Sequence, residues 1–120
     1  MSKHVLIADD EPNIVISLEF LMKREGHAVS VARDGPAALE AIRAGRPDLV
    51  LLDVMMPGLS GFEVCQAVRG DEALAGVKIL MLSAKGRDTD IAKGSAMGAD
   101  AYMTKPFSTK ELAEKVRELL

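Results

Sequence analysis

The sequence has 120 residues, 48% of them apolar, with 15 basic and 18 acidic side chains for a net charge of −3. That is one domain's length of chain with enough apolar residues to line a core, which argues against disorder, and the acidic balance argues against a free-standing nucleic-acid binder. The single Cys65 excludes an internal disulfide and an all-thiolate metal site, and no apolar run approaches a secretory signal or the ~20 residues of a membrane span, so a cytoplasmic domain is expected.

Residues 5–8 (Val-Leu-Ile-Ala) form a short continuous apolar run, the pattern of a strand buried on both faces. Asp9-Asp10-Glu11 follows, then Pro12, which suits a first helical turn, with Ile14, Leu18, Leu21 and Met22 repeating at helical spacing. A weaker strand is expected over 28–32. Gly35-Pro36 opens a second helix, marked by Leu39 and Ile42 and ended near Gly45. Residues 49–52 (Leu-Val-Leu-Leu) are a second strong strand and end in Asp53. Ser60-Gly61-Phe62-Glu63 reads as a capping box, and Val64, Cys65 and Val68 give that helix its apolar stripe. Residues 77–82, broken only by Lys78, are a third buried strand, ending in Ser83. A thin-striped helix carrying Thr89, Gly94 and Ser95 is expected over 88–97, and it should be the most mobile element. A weak strand over 101–103 runs through Thr104 into Lys105-Pro106. Ser108-Thr109-Lys110-Glu111 then reads as a second capping box before Leu112, Val116 and Leu119.

Strand and helix thus alternate along the whole chain, which predicts right-handed crossovers and a parallel sheet covered on both faces. The expected fold is a flavodoxin-like α/β three-layer sandwich with strand order 2-1-3-4-5, filled by a single domain over 1–120. In such a sheet the residues that follow each strand share the carboxyl edge, where open α/β folds bind ligands. The order sets the first and third strands side by side and brings Asp9, Asp10 and Asp53 together.

Three carboxylates that close repel one another, and a hard divalent cation removes the conflict. Oxygen-only donors suit Mg²⁺ or Mn²⁺ better than zinc. Lys105 adds compensation, and an anion bridging the metal, the Ser83 hydroxyl and the Lys105 ammonium would complete the set. Phosphoryl is the candidate, with Asp53 as the nucleophile that forms an aspartyl phosphate. Each residue alone has a plainer reading. Asp9 and Asp10 would cap a helix, Asp53 would open a turn with Met56-Pro57-Gly58, Ser83 would be a satisfied strand-end hydroxyl, and Lys105 would be solvated. Their conjunction on one edge favours a site.

These residues resemble the receiver domain of two-component response regulators, over the whole chain. The markers are Ile7-Ala8-Asp9-Asp10-Glu11, the run Leu52-Asp53-Val54-Met55-Met56-Pro57-Gly58-Leu59-Ser60-Gly61, Ser83-Ala84, and Gly98-Ala99-Asp100 leading to Lys105-Pro106-Phe107. The resemblance implies a phosphorylation-dependent switch in a phosphorelay, with only self-phosphorylation and autodephosphorylation chemistry rather than an enzyme's turnover. Asp53 matches the phosphoacceptor, supplied by a sensor histidine kinase or a histidine phosphotransfer protein. Asp10 matches the direct Mg²⁺ ligand, Asp9 the one acting through water, and Met55 would add its backbone carbonyl. Ser83 matches the hydroxyl switch residue and Lys105 the phosphoryl contact, with the bond to Pro106 cis. Ala84 is small where bulk would obstruct access, and Met55 and Lys85 match positions that tune hydrolysis. Tyr102 matches the aromatic switch position, expected to turn inward as Ser83 moves; its plainer reading is an ordinary half-buried tyrosine. The output would be the face of the 88–97 helix, the last strand and the C-terminal helix, contacted by a downstream protein.

Two other chemistries fit less well. A haloacid-dehalogenase-like phosphatase pairs its nucleophile with a second Asp two residues on, where this chain has Met55 and no proton donor. A flavodoxin-like electron carrier would need a phosphate loop where Asp9-Asp10-Glu11 would repel phosphate. Winged-helix regulators of the family dimerise through charges on the output face. Here Ile91 stands for the usual Arg and Ala101 for an Asp, leaving Asp100, Glu111 and Lys115. A single-domain receiver, monomeric or weakly dimeric, is therefore expected, with no direct nucleic-acid contact and no membrane insertion. A receiver belonging to a longer regulator with a DNA-binding or enzymatic output domain is the alternative. Cys65 is expected in the core, His4 and His27 at the surface, and Met81 and Met103 beside the switch.

Overall fold

Val, Ile and Leu runs that bury side chains on both faces become strands of a covered parallel sheet. In the computed structural model, which describes residues 3–84 and 96–120, five strands form one parallel sheet in the order β2-β1-β3-β4-β5. They are β1 (His4–Ala8), β2 (Ala28–Ala32), β3 (Leu49–Asp53), β4 (Lys78–Ala84) and β5 (Ala101–Lys105). The described helices are α1 (Pro12–Arg24), α2 (Gly35–Gly45), α3 (Gly61–Arg69) and α4 (Thr109–Leu119), with a 3-10 turn over Glu72–Leu74. This is the expected flavodoxin-like order. The helix expected over 88–97 lies outside the described residues apart from Ala96 and Met97, as do Lys85, Ile91 and the Ala84 side chain. Among the described residues no helix is long and apolar enough to cross a membrane.

The period of two along each strand divides the core. Val5, Ile7, Leu49, Leu51, Leu80 and Leu82 pack under α1 and α4. Leu6, Ala8, Val50, Leu52, Ile79 and Met81 pack under α2 and α3, where Cys65 is buried as expected. All of β3 is buried, and β2 at the edge is largely accessible.

Local signals hold with two adjustments. Pro12 opens α1, but the buried stripe is Val15, Leu18, Leu21 and Met22, with Ile14 only half-buried. Leu18, Leu21 and Met22 are buried as expected, and Ile14 packs at the margin of the same core while Val15 takes the central place. The Ser60 box is reciprocal, Glu63 N–H donating to Ser60 Oγ at 3.3 Å and Ser60 N–H to Glu63 Oε1 at 3.3 Å. At Ser108 only the forward bond forms, from Glu111 N–H to Ser108 Oγ at 3.0 Å. His4 and His27 lie at the amino end of the strands, away from the acidic edge. His4 Nε2 is 2.8 Å from Ser30 Oγ, and His27 Nδ1 accepts the Lys3 N–H at 3.3 Å.

The loop that follows β3 is held close against that strand. Gly61 N–H donates to Val54 O at 2.9 Å, Gly35 N–H donates to Pro57 O at 2.9 Å, and a Cβ at position 61 would strike the Asp53 carbonyl oxygen. Gly61→Ala is therefore expected to cost about 1–3 kcal/mol, as overpacking against backbone does. Gly76→Ala, where a Cβ meets nothing within 4 Å, should stay within about 0.5 kcal/mol of wild type in the same urea unfolding series.

Candidate functional site

The pairing of β1 with β3 aligns Ala8 with Leu52, so Asp9, just past β1, and Asp53, the last residue of β3, reach the carboxyl edge side by side. Asp9 is fully buried, Asp53 is 4% exposed and Asp10 faces solvent. One carboxylate oxygen from each of the three lies within 4.8 Å of the others. The Asp9 backbone is anchored by its N–H to Ala32 O at 3.1 Å. Both oxygens of its carboxylate are engaged, Oδ1 by the Glu11 N–H at 2.9 Å and Oδ2 by the Lys105 ammonium at 2.9 Å.

Lys105 ends β5, two strands from β3, and its side chain reaches across the end of β4. Besides Asp9, its Nζ lies 3.4 Å from Asp53 Oδ1 and 3.4 Å from Glu11 Oε1, and the side chain is 14% exposed. Lys105 is thus an ion-paired group rather than a solvated one. The bond to Pro106 is cis, as the resemblance implied. Glu11 is the functional contact that sequence reasoning missed; an acid next to the Asp pair was visible, but its reach to Lys105 was not.

The plainer readings hold only in part. Glu11, not Asp9 or Asp10, occupies the N-cap of α1, and that cap has no side-chain hydrogen bond. Asp53 Oδ1 accepts the Met55 N–H at 3.3 Å, a turn-like bond that also orients the carboxylate. Ser83 is buried on β4, one residue past the Leu82 that pairs with Asp53, and pairs in turn with Thr104. Met55 is 60% exposed beside Asp10, Val54 and Met56. Tyr102 pairs with Met81 and packs on the α3-side core, and its hydroxyl is already buried. Met81 is fully buried and Met103 half-buried on the other face.

The electrostatics follow from this crowding. Burial and then the neighbouring Asp9 charge push the Asp53 carboxyl up to about 6, against the pull of Lys105 and of the Met55 N–H. Burial works against the Lys105 charge, but the hydrogen bond to Asp9 and the fields of Asp53, Asp9 and Glu11 outweigh it and hold the ammonium above the usual lysine range. Four carboxylates against one ammonium leave negative charge unmet. The all-oxygen donor set, two members buried and one open to solvent, fits a hard divalent cation.

Comparison with known proteins agrees with this geometry. A family model described as the response regulator receiver domain matches residues 5–117. The DNA-binding response regulator MtrA of Mycolicibacterium smegmatis is 44% identical over 120 residues, 100% of this chain and 51% of that protein. The alkaline phosphatase synthesis transcriptional regulatory protein PhoP of Bacillus subtilis is 43% identical over 120 residues, 100% of this chain and 49% of that protein. The chain spans about half the length of the curated relatives it matches. Among solved structures, the chemotaxis response regulator CheY4 of Vibrio cholerae superposes with a TM-score of 0.93 at 31% identity, covering 100% of both chains. A receiver domain of the Francisella response regulator 1452 does so with a TM-score of 0.89 at 32% identity, covering 98% of this chain and 95% of that one.

A folded-state pKa of about 6 against an ordinary 3.8 means that ionised Asp53 costs stability above about pH 6. As pH falls from about 6 towards 4 the native carboxyl takes up its proton first, and the cost disappears. In EDTA at about pH 7.5, Asp53→Asn is therefore expected to stabilise the protein by up to about 3 kcal/mol. The gain should shrink towards zero near pH 4, read by urea unfolding. Equal gains at both pH values would contradict the assignment.

Proposed function

The chain belongs to the response regulator receiver domain family, and from that premise we propose that it is a single receiver module whose phosphoacceptor is Asp53. The observation that carries the reading is the buried carboxylate cluster, with the Lys105 ammonium 3.4 Å from Asp53 and 2.9 Å from Asp9. With a pKa of about 6, Asp53 is ionised at neutral pH and able to attack. An Asp53 carboxylate oxygen forms the new bond to phosphorus as the bond from phosphorus to a donor imidazole nitrogen breaks, and the imidazole leaves with the electron pair. Lys105 neutralises one phosphoryl oxygen, and the Ser83 hydroxyl donates to another. Asp9, Asp10, Asp53 and the Met55 carbonyl would hold a divalent cation, Mg²⁺ or Mn²⁺, which would supply the remaining charge neutralisation. Asp9, both of whose oxygens are already engaged, suits a role through water. Exposed Asp10 suits direct ligation.

Phosphorylation adds roughly −1.5 to −2 charges where charge is already in excess. Ser83 and Lys105 are drawn towards the new oxygens. Ser83 and Met81 share one face of β4, and Thr104 and Tyr102, their partners on β5, share the same face. Displacement at Ser83 is therefore felt at Tyr102, and the surface around Tyr102, β5 and α4 is the proposed output face for a downstream protein. The curated relatives that bear DNA-binding names are about twice as long, which favours a second reading in which the same switch serves a longer regulator. Turnover of a separate phosphomonoester is disfavoured by Met55, which offers no proton to a leaving group.

The phosphodonor is a histidine kinase or histidine phosphotransfer protein. α1 starts directly after Glu11 and exposes Ile16 (64%) and Phe20 (68%), one turn apart, beside the acidic edge. A donor whose apolar helices cover that pair brings its histidine to Asp53.

Incubation with acetyl phosphate followed by intact-mass measurement tests the acceptor. A phosphoryl adduct is expected on wild type with Mg²⁺, and none with EDTA or on Asp53→Ala. No adduct on folded wild type overturns the reading. Replacing Ile16 and Phe20 by Ser should slow transfer from a phosphotransfer protein that phosphorylates wild type by about tenfold or more, as loss of a central apolar anchor does. Phosphorylation by acetyl phosphate should be unchanged; equal slowing of both reactions would refute the docking role.

A further inference from the structure

Away from the acidic edge, Arg69 at the end of α3 reaches across to the stretch that leads into β5. Its Nε donates to Gly98 O at 2.8 Å, and a terminal guanidinium nitrogen lies 2.6 Å from Asp100 Oδ2. The same Asp100 oxygen accepts the Ile79 N–H at 2.8 Å, and the Asp100 N–H donates to Ile79 O at 2.9 Å. One turn back on α3, Cys65 Sγ is 3.5 Å from Met97 O. Gly98 has a φ of +96°, and a Cβ there would come within 2.8 Å of Arg69 Cγ, so the arginine stem lies directly on the backbone. The Arg69 and Asp100 side chains are 23% and 28% exposed, which leaves their charge-assisted bond only partly screened.

Asp100 directly precedes β5, and Met97, Ala99 and Tyr102 pack on the α3-side core. We infer that Arg69 is a positioning residue for the switch: it pins the stretch before β5 to α3 and braces Asp100, whose own bonds to Ile79 tie that end to the start of β4, and so holds Tyr102 against the α3-side core. The inference rests on the proposed switch role of Tyr102. With the lower end of β5 pinned at Asp100, a pull on Ser83 and Thr104 at the upper end deforms the strand between them, where Tyr102 lies. With that end released, β5 shifts as a unit and the pull no longer changes the packing of the ring.

Tyr102 is the single tyrosine and the chain has no tryptophan, so intrinsic fluorescence quenched by acrylamide reports this ring alone. In the unphosphorylated protein, quenching is expected to rise about twofold in Arg69→Gln and in Asp100→Asn as local packing loosens. The phosphorylated fraction reached with acetyl phosphate and Mg²⁺, read by intact mass, should match wild type. The change in quenching on phosphorylation, present in wild type, should be lost in both variants. Arg69→Lys, which keeps the charge towards Asp100 without the planar fork, should restore part of it, and it carries the test if Arg69→Gln does not fold. Wild-type quenching in both states of these variants would overturn the inference. If wild type takes up phosphoryl without any change at Tyr102, the switch role of Tyr102 fails and the inference with it. If wild type takes up no phosphoryl, the proposed function fails, and the resting-state comparison still decides whether Arg69 holds the ring.

Discussion

Two buried carboxylates, Asp9 and Asp53, share one ammonium, that of Lys105, and everything at the carboxyl edge depends on this imbalance. Ionised groups out of water are costly unless paired and hydrogen-bonded, and here the pairing is incomplete. The sheet creates the situation: the adjacency of β1 and β3 aligns the two acids, and the position of β5 lets one long side chain reach both. Close-packed cores on the two faces of the sheet keep the groups from moving apart. Unmet negative charge held in place is what makes the edge fit a divalent cation. In the proposed function the same lysine that relieves it also meets a phosphoryl oxygen.

The parts of this arrangement that were legible in the sequence are those set by short-range pattern. Runs such as 49–52 and 77–82 have apolar residues at both periods of the pleat, so they read as strands covered on both faces, and strand order followed from the alternation with helices. Asp9, Asp53, Ser83 and Lys105 could be gathered on one edge because each lies at or just past the carboxyl end of an apolar run. Side-chain reach was not legible. Glu11 contacts Lys105 across 94 positions of chain, and nothing in local spacing shows that. The apolar stripe of α1 was read correctly at Leu18, Leu21 and Met22 but began on Ile14 in place of Val15, because both are apolar and only the sheet decides which of them is fully buried. The Ser108 box was half right, since a side-chain return bond from Glu111 depends on rotamer and surroundings, not on spacing.

Asp100 shows the same limit from the other side. Its position on the output face made it a remaining member of a charge network between subunits, yet its Oδ2 accepts from both Arg69 and the Ile79 N–H of its own chain. A carboxylate oxygen so engaged has little left to offer a second subunit. Lys115, another member of that set, lies 3.3 Å from Glu118 one turn along α4. The internal use of Asp100 Oδ2 adds to the replacements at 91 and 101 in thinning the expected network.

Where a switch can move is decided by where packing is cheapest to disturb. β3, which carries Asp53, is buried at every position, so the proposed phosphoacceptor sits on the most firmly packed strand of the sheet. β5 is at the sheet edge, none of its residues is fully buried, and it carries both Lys105 and Tyr102. In the proposed switch, charge added at a rigid strand does its mechanical work on a loosely enclosed one, two strands away. An edge strand that is loose along its whole length would absorb that work without directing it. The bonds of Asp100 to Ile79 and Arg69 fix one end of β5, and Lys105 ties the other end to the acidic cluster. Tyr102 lies between the two attachments, where a displacement of one relative to the other has to be taken up.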